Sequence, residues 1–339
     1  MRFTGPRHIA LLDGLRGYAA FVVVLYHLRH FFGDALPVAN GYLAVDLFFV
    51  MSGLVIAMTY EERLRAGMGV AAFFRRRVIR LYPVYAIGGL LGVAVMLVLP
   101  EKRMGAGYAL SALVSQAAML PEALVRGADG PFPLNPPAWS LFFEIWGNLA
   151  FALLVPRLPT RWLAATVGLA LLGYVLGSRA AGTVELGVNY ARLAGGAARF
   201  WFGFGLGVLI WRLEAHLPHP GWGAVVLAML FPALPESDLL RFLWIALIMP
   251  AGVLAALRLP APQALCRPLG VLSYPLYLLH WPVMVLFSSY GLRAEGGSAW
   301  RDPWLGAAIV LASCALTAAV AYGAEPRLRA VLERLIPSR

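Results

Sequence analysis

The chain has 339 residues, 60% of them hydrophobic and 13% charged, with a net charge of +11. Soluble chains carry roughly a quarter charged residues, so this balance excludes an ordinary soluble enzyme and points to one integral membrane domain with no soluble catalytic module. The excess arginine sits in short segments between apolar runs, without stacking aromatics or a recognition helix, which argues for membrane topology and against nucleic acid as a partner.

Apolar stretches follow at residues 8–31, 41–60, 78–99, 106–120, 139–156, 161–178, 195–212, 220–235, 240–258, 267–291 and 303–324. The basic Arg2, Arg7 and His8 precede the first, but that stretch holds Asp13 and Arg16 and no convincing cleavage site follows, so it is expected to stay as a helix. Stretch 106–120 is short for the roughly 20 residues of a spanning helix. It contains Ser111, Ser115 and Gln116, and is predicted to be re-entrant or interfacial. The fold expected is therefore all-α, a polytopic transmembrane helix bundle of about ten spans with both termini cytoplasmic.

In that topology the cytoplasmic loops hold Arg63, Arg65, Arg75, Arg76, Arg77 and Arg80, then Arg157 and Arg161, then Arg212, then Arg258 and Arg267. Arg327, Arg329, Arg334 and Arg339 follow the last span, as the positive-inside rule asks. The outer loops hold Asp34, Asp129, Glu185, Asp238 and Glu295, with Lys102, Arg103, Arg126, Arg192, Arg241, Arg293 and Arg301 as dissent. The Pro- and Gly-rich stretch 121–137 is placed outside. Residues 1–330 form a single domain, 331–339 a cytoplasmic tail, and no soluble esterase-like domain is expected. Cys266 and Cys314 lie in separate apolar stretches and are assigned to helix packing, with no metal or disulfide framework.

Ionisable residues inside apolar stretches are costly and default to function. In "LDGLRGYAAFVVVLYH", Arg16 and His27 return to within roughly 20° of one helix face, about 16 Å apart along the axis, and Asp13 and His30 fall near the same stripe. The next span, "GYLAVDLFFVMSGLVIAM", carries Asp46 about two turns below the outer surface. In "NPPAWSLFFEIWGN", Trp139 suits the interface, and Glu144, inside the span, needs a partner from another helix. Arg199 enters from outside and can counter Glu144 or Asp46, and His280 in "VLSYPLYLLHWPVM" sits near mid-membrane or above. His27, Asp46, Glu144, Arg199 and His280 are expected to converge on the outer half, with Arg16 and the arginine cluster below. The plainer readings stay open: snorkelling for Arg16, an interfacial His27, and simple interhelical pairing for Asp46 and His280.

Together these motifs resemble the acyltransferase-3 family of integral membrane acyltransferases, which includes surface-polysaccharide O-acetyltransferases. The resemblance covers nearly the whole chain. It rests on Arg16 and His27 at an Arg-x10-His spacing, "GYLAVDLFFVMSGLVI", Arg77 and Arg80 in "FFRRRVIRLYP", Glu144 in "WSLFFE", and His280 in "LSYPLYLLHWP". It implies a cytoplasmic acyl-CoA donor, commonly acetyl-CoA, a glycan or other hydroxyl acceptor outside, and a place in the plasma (inner) membrane.

On that footing His27, Arg16 and Glu144 are the expected catalytic residues, and Arg16, Arg76, Arg77 and Arg80 the donor-binding ones, since guanidinium forks suit phosphate. Asp13, Asp46, Trp139, Arg199 and His280 support them, with Glu144 or Asp46 orienting the imidazole. No metal is expected. His27 acts as general base or as an acyl relay. A small-molecule acceptor, such as a macrolide-type metabolite or lipid-linked sugar, and a proton-coupled transporter remain as alternatives, and oligomeric state is not legible.

Overall fold

The computed structural model describes residues 9–99, 104–122, 130–294 and 302–336, and those residues are helical with short connections and no strand. Lipid leaves backbone polar groups no water to bond, so a helix, which pairs its own, is the favoured answer. The helices are α1 (Ala10–Leu28), α2 (Ala44–Arg65), α3 (Val70–Val98), α4 (Ala106–Ala117), α5 (Ala138–Leu154), α6 (Thr160–Ala181), α7 (Leu193–Leu213), α8 (Trp222–Met229), α9 (Asp238–Leu243), α10 (Met249–Ala256), α11 (Gln263–Ala294), α12 (Pro303–Ala319) and α13 (Glu325–Leu335). Joined across their short turns, they make nine helices, among the described residues, long and apolar enough to cross a membrane. The expected loop charges Lys102, Arg103, Arg126, Asp129, Glu295 and Arg301 lie outside the described residues, as do Arg2, Arg7, His8, Arg339 and the side chains of Asp34 and Arg293.

A tenth passage is built from less helix. α8 has eight residues and gives way to the 3-10 turn Phe231–Ala233. Its flanks nonetheless meet opposite ends of the bundle. His219 touches Arg258, just past α10, while the carbonyls of Pro232 and Leu234 accept from Asn40 main chain and side chain at 3.3 and 2.7 Å. Asn40 also accepts from Arg241 in α9 at 2.7 Å, so residues 219–234 run antiparallel to α9 and α10. The broken helix would leave carbonyls bare in lipid, and Tyr18 from mid-α1 donates to Met229 O at 2.6 Å to close one of them. With this short passage the count among the described residues reaches about ten, and α4, at twelve residues, is shorter than a spanning helix.

Both ends of the described chain lie at one end of the bundle. Gly14 and Gly17 of α1 face Cys266 and Leu269 at the start of α11, and Arg75 at the start of α3 donates to the carbonyls of Glu333 and Ile336. The same end carries the loop arginines, and several of them close helices as well as marking topology. Glu61 takes Arg65 at 2.7 Å and Arg212 at 2.5 Å, while Arg212 donates to the carbonyls of Val155 and Leu158 past the end of α5. Residues 331–335 are the last turns of α13, which continues α12 through the π-turn Val320–Ala324.

α2 and α7 approach closely because small residues face each other. A Cβ on Gly207 would stand 2.1 Å from Val50 O, and one on Gly53 1.9 Å from Phe204 O. Gly207→Val should therefore force the pair apart and cost about 1–3 kcal/mol or more. Thermal melting of the purified protein reads this out, and a variant as stable as the parent would contradict the packing. α11 carries Pro282 mid-span, which frees the carbonyl of Leu278, and Asn135 donates to it at 3.1 Å.

Candidate active site

At the end opposite the arginines, a cavity of about 360 Å³ opens between α1, α2, α5, α7, α11 and the connection from α6 to α7. Its wall is aromatic and polar: Tyr26, His27, Arg29, His30, Tyr42, Trp139, Glu185, Arg199, Tyr277 and Trp281 all face it. His27 is partly exposed there, its ring held edge-on by Tyr26 and Trp281 at centroid distances of 5.2 Å.

The contacts of His27 are those of an Nδ1–H tautomer. Nδ1 lies 3.0 Å from Val23 O and 3.1 Å from Nε2 of the fully buried His280, whose own Nδ1 is 3.1 Å from Leu276 O. A carbonyl can only accept, so each Nδ1 is assigned the hydrogen, and the one on His27 is shared between Val23 O and His280 Nε2. The lone pair of His27 is therefore on Nε2. The carboxylates expected to orient this imidazole do not contact it; a backbone carbonyl and a second histidine take that role.

Asp46 is committed elsewhere. Arg199 donates from Nε to Oδ1 at 3.0 Å and from Nη2 to Oδ2 at 2.6 Å, and spends two further hydrogens on Leu186 O and Tyr42 O at 3.1 and 2.9 Å. Tyr174 adds a bond to Asp46 Oδ1 at 3.4 Å. Of the partners open to Arg199 in the sequence, the fold selects Asp46. The network stiffens one wall of the outer cavity.

A second cavity, also of about 360 Å³, occupies the arginine-rich half. Arg16, Ser52, Arg77, Arg80, Glu144, Tyr274, Glu325 and Arg329 line it. Glu144 accepts from Ser52 at 2.9 Å and from Arg77 at 3.1 Å, and Arg329 pairs with Glu325. Arg16 and Arg80 make no ion pair among the described residues, which leaves two guanidiniums open in the cavity.

The two cavities meet at Val45 and Tyr277, which line both. The Tyr277 hydroxyl lies 2.8 Å from Ser140 Oγ and donates to Pro137 O at 3.1 Å, fixing the ring across the junction. Among the described residues, no group of three or more His, Cys, Asp or Glu side chains is placed to hold a metal ion.

A family model described as an acyltransferase domain matches residues 9–324. The chain belongs to this acyltransferase family. Its relatives include Protein 2 in picA locus of Rhizobium radiobacter, 38% identical over 159 residues, which are 43% of this chain and 82% of that protein. Acyltransferase MdmB of Streptomyces mycarofaciens is 30% identical over 188 residues, 49% of this chain and 46% of MdmB. O-acetyltransferase OatA of Staphylococcus aureus is 38% identical over 80 residues, 23% of this chain but only 12% of OatA. No solved structure matches the chain.

In this membrane acyltransferase the expected residues divide between the cavities. His27, Trp139 and Arg199 line the outer one with His280 behind; Arg16, Arg77, Arg80 and Glu144 line the inner one. Glu144 thus departs from the expected outer cluster, because α5 crosses the junction between Trp139 and Ser140 and turns Glu144 downward onto Arg77. Arg76 is exposed and lines neither cavity, and Asp13 packs against Gly270, a wall residue of the arginine-rich cavity, without lining that cavity itself. Trp139 is buried beneath Gly187. Sequence reasoning passed over Tyr277, Trp281 and Arg329 as lining residues. Tyr277 and Trp281 share a helical face with Tyr274 and His280, a spacing that could have drawn them in.

Proposed function

We propose that this acyltransferase moves an acyl group, acetyl by preference, from acyl-coenzyme A in the inner cavity to a hydroxyl of a cell-surface or exported glycan in the outer one. The membrane is the plasma membrane, with the arginine-rich end and both termini cytoplasmic. The observation that carries this reading is the pair of cavities joined at Tyr277, one cationic and one holding a histidine with a free lone pair. The name of OatA supports acetyl and oxygen as the group and the atom.

His27 Nε2 takes the proton of the acceptor hydroxyl as its oxygen attacks the thioester carbonyl. A C–O bond forms, the C–S bond breaks, and the leaving thiolate takes the proton back, giving an ester and free coenzyme A. Arg16 and Arg80, without ion pairs of their own, supply donors to the nucleotide phosphates. The neutral acyl end extends past Tyr277 to the acceptor.

Membranes carrying the protein, supplied with labelled acetyl-coenzyme A, should transfer label to a glycan; no thioester consumption would overturn the reading. Arg80→Gln, which touches an exposed side chain, should raise the donor KM about tenfold to a hundredfold, the worth of a charge-assisted bond to phosphate, with the melting temperature unchanged. An unaltered donor KM would remove Arg80 from the donor site.

A further inference from the structure

The outer cavity holds a carboxylate that the reaction above does not use. Glu185 lies in the connection between α6 and α7 and lines the cavity alongside His27. Among the described residues its side chain is bonded by Tyr26, whose hydroxyl donates to Oε2 at 3.2 Å. It forms no ion pair among the described residues. Two cations share the cavity wall: Arg199 gives four of its five hydrogens to Asp46 and two carbonyls, and Arg29 donates to Tyr26 O at 2.7 Å. A cavity carboxylate that neither neighbouring cation bonds, with Oε1 open, is a costly arrangement unless something binds there.

The backbone on either side of Glu185 is pinned. Tyr174 donates to Val184 O at 3.0 Å and Arg199 to Leu186 O at 3.1 Å, while the Glu185 N–H is taken by Thr183 Oγ1 at 3.1 Å. Gly182 turns the chain out of α6 at φ +64°, and Gly187 returns it at φ +108° directly over the Trp139 ring, where a Cβ would stand 2.2 Å away. The acid is therefore fixed in place before any ligand arrives, which is how a binding group keeps its ordering cost low.

We infer that Glu185 is the acceptor-positioning residue: it accepts a hydrogen bond from a hydroxyl next to the one that His27 deprotonates, so the preferred acceptor is a ring with more than one hydroxyl. Tyr26, Tyr42, Trp139 and Trp281 provide the apolar faces such a ring packs on. The inference deepens the proposed function and rests on it for the identity of the attacked group, but not for the binding itself.

Two measurements on the full chain separate the ideas. Methyl β-glucoside is titrated while tryptophan fluorescence is followed, since Trp139 and Trp281 line the cavity; binding should weaken about tenfold in Glu185→Gln and further in Glu185→Ala, with melting temperatures unchanged. In transfer assays from labelled acetyl-coenzyme A, the glucoside KM should rise by the same factor with kcat held within about threefold, and cyclohexylmethanol, with a single hydroxyl, should show no change in KM. Equal glucoside binding by parent and variants, or none by the parent, overturns the role of Glu185. Glutamate-dependent binding without any thioester consumption would instead retain that role and overturn the acyl transfer.

Discussion

His27→Ala should lower acyl transfer about a hundredfold to ten-thousandfold, the usual worth of a positioned general base, while leaving the protein folded in the membrane. The side chain is partly exposed and carries no charge partner, so its removal leaves only the Nε2 acceptor of His280 without its donor. His27→Gln is the sharper probe, because an amide can still donate toward Val23 O or His280 but cannot take up a proton. Label transfer under saturating donor, paired with melting temperature, distinguishes loss of chemistry from loss of structure. Wild-type turnover in a correctly folded His27→Gln protein would remove the central residue of the mechanism. Isolation of an acylated His27 would redirect its lone pair from base to nucleophile.

Asp46→Asn should be the most damaging single change to stability. The Asp46 and Arg199 side chains are 2% and 0% exposed, and they share two direct bonds. Removing one partner strands a buried charge at a cost of about 3–5 kcal/mol, a large part of the roughly 5–15 kcal/mol that holds a typical domain together. Arg199→Lys should not rescue the site, because an ammonium cannot supply the fork that also reaches Leu186 O and Tyr42 O. The paired change Asp46→Leu with Arg199→Met should recover part of the loss, since it removes both charges together. The yield of monodisperse protein and its melting temperature are the readouts. An Asp46→Asn protein melting within about 1 °C of the parent, under the several degrees that about 3–5 kcal/mol brings in a chain this long, would contradict the argument.

The bundle was largely readable because spans announce themselves by length and apolarity, and even the weak stretch 220–235 was placed where a passage runs. What the pattern could not show is that only half of this passage is α-helix, since its carbonyls are satisfied by Tyr18 and Asn40, residues about two hundred positions away. Arg16 and His27, eleven residues apart on α1, line different cavities. Glu144 misled because it sits only five residues past Trp139, and the boundary between the cavities falls inside that interval. Glu185 was visible as an outer acid, but its path into the cavity depends on Gly182, Gly187 and two long-range bonds to the loop, none of which leaves a periodic trace. Arg76 and Arg77 are neighbours in a run of three arginines, and only the turn of α3 separates an exposed side chain from one bonded to Glu144.

On the proposed reading, with polar vestibules filled from both ends, the voltage across the membrane would fall mainly over the thin partition of Val45 and Tyr277 rather than across the full hydrocarbon thickness. An uncharged acyl group would cross that partition without electrical work. The phosphates of a nucleotide donor would each meet about 2.3 kcal/mol per 100 mV per charge, so the tyrosine between the two compartments would also sort the cargo from its carrier.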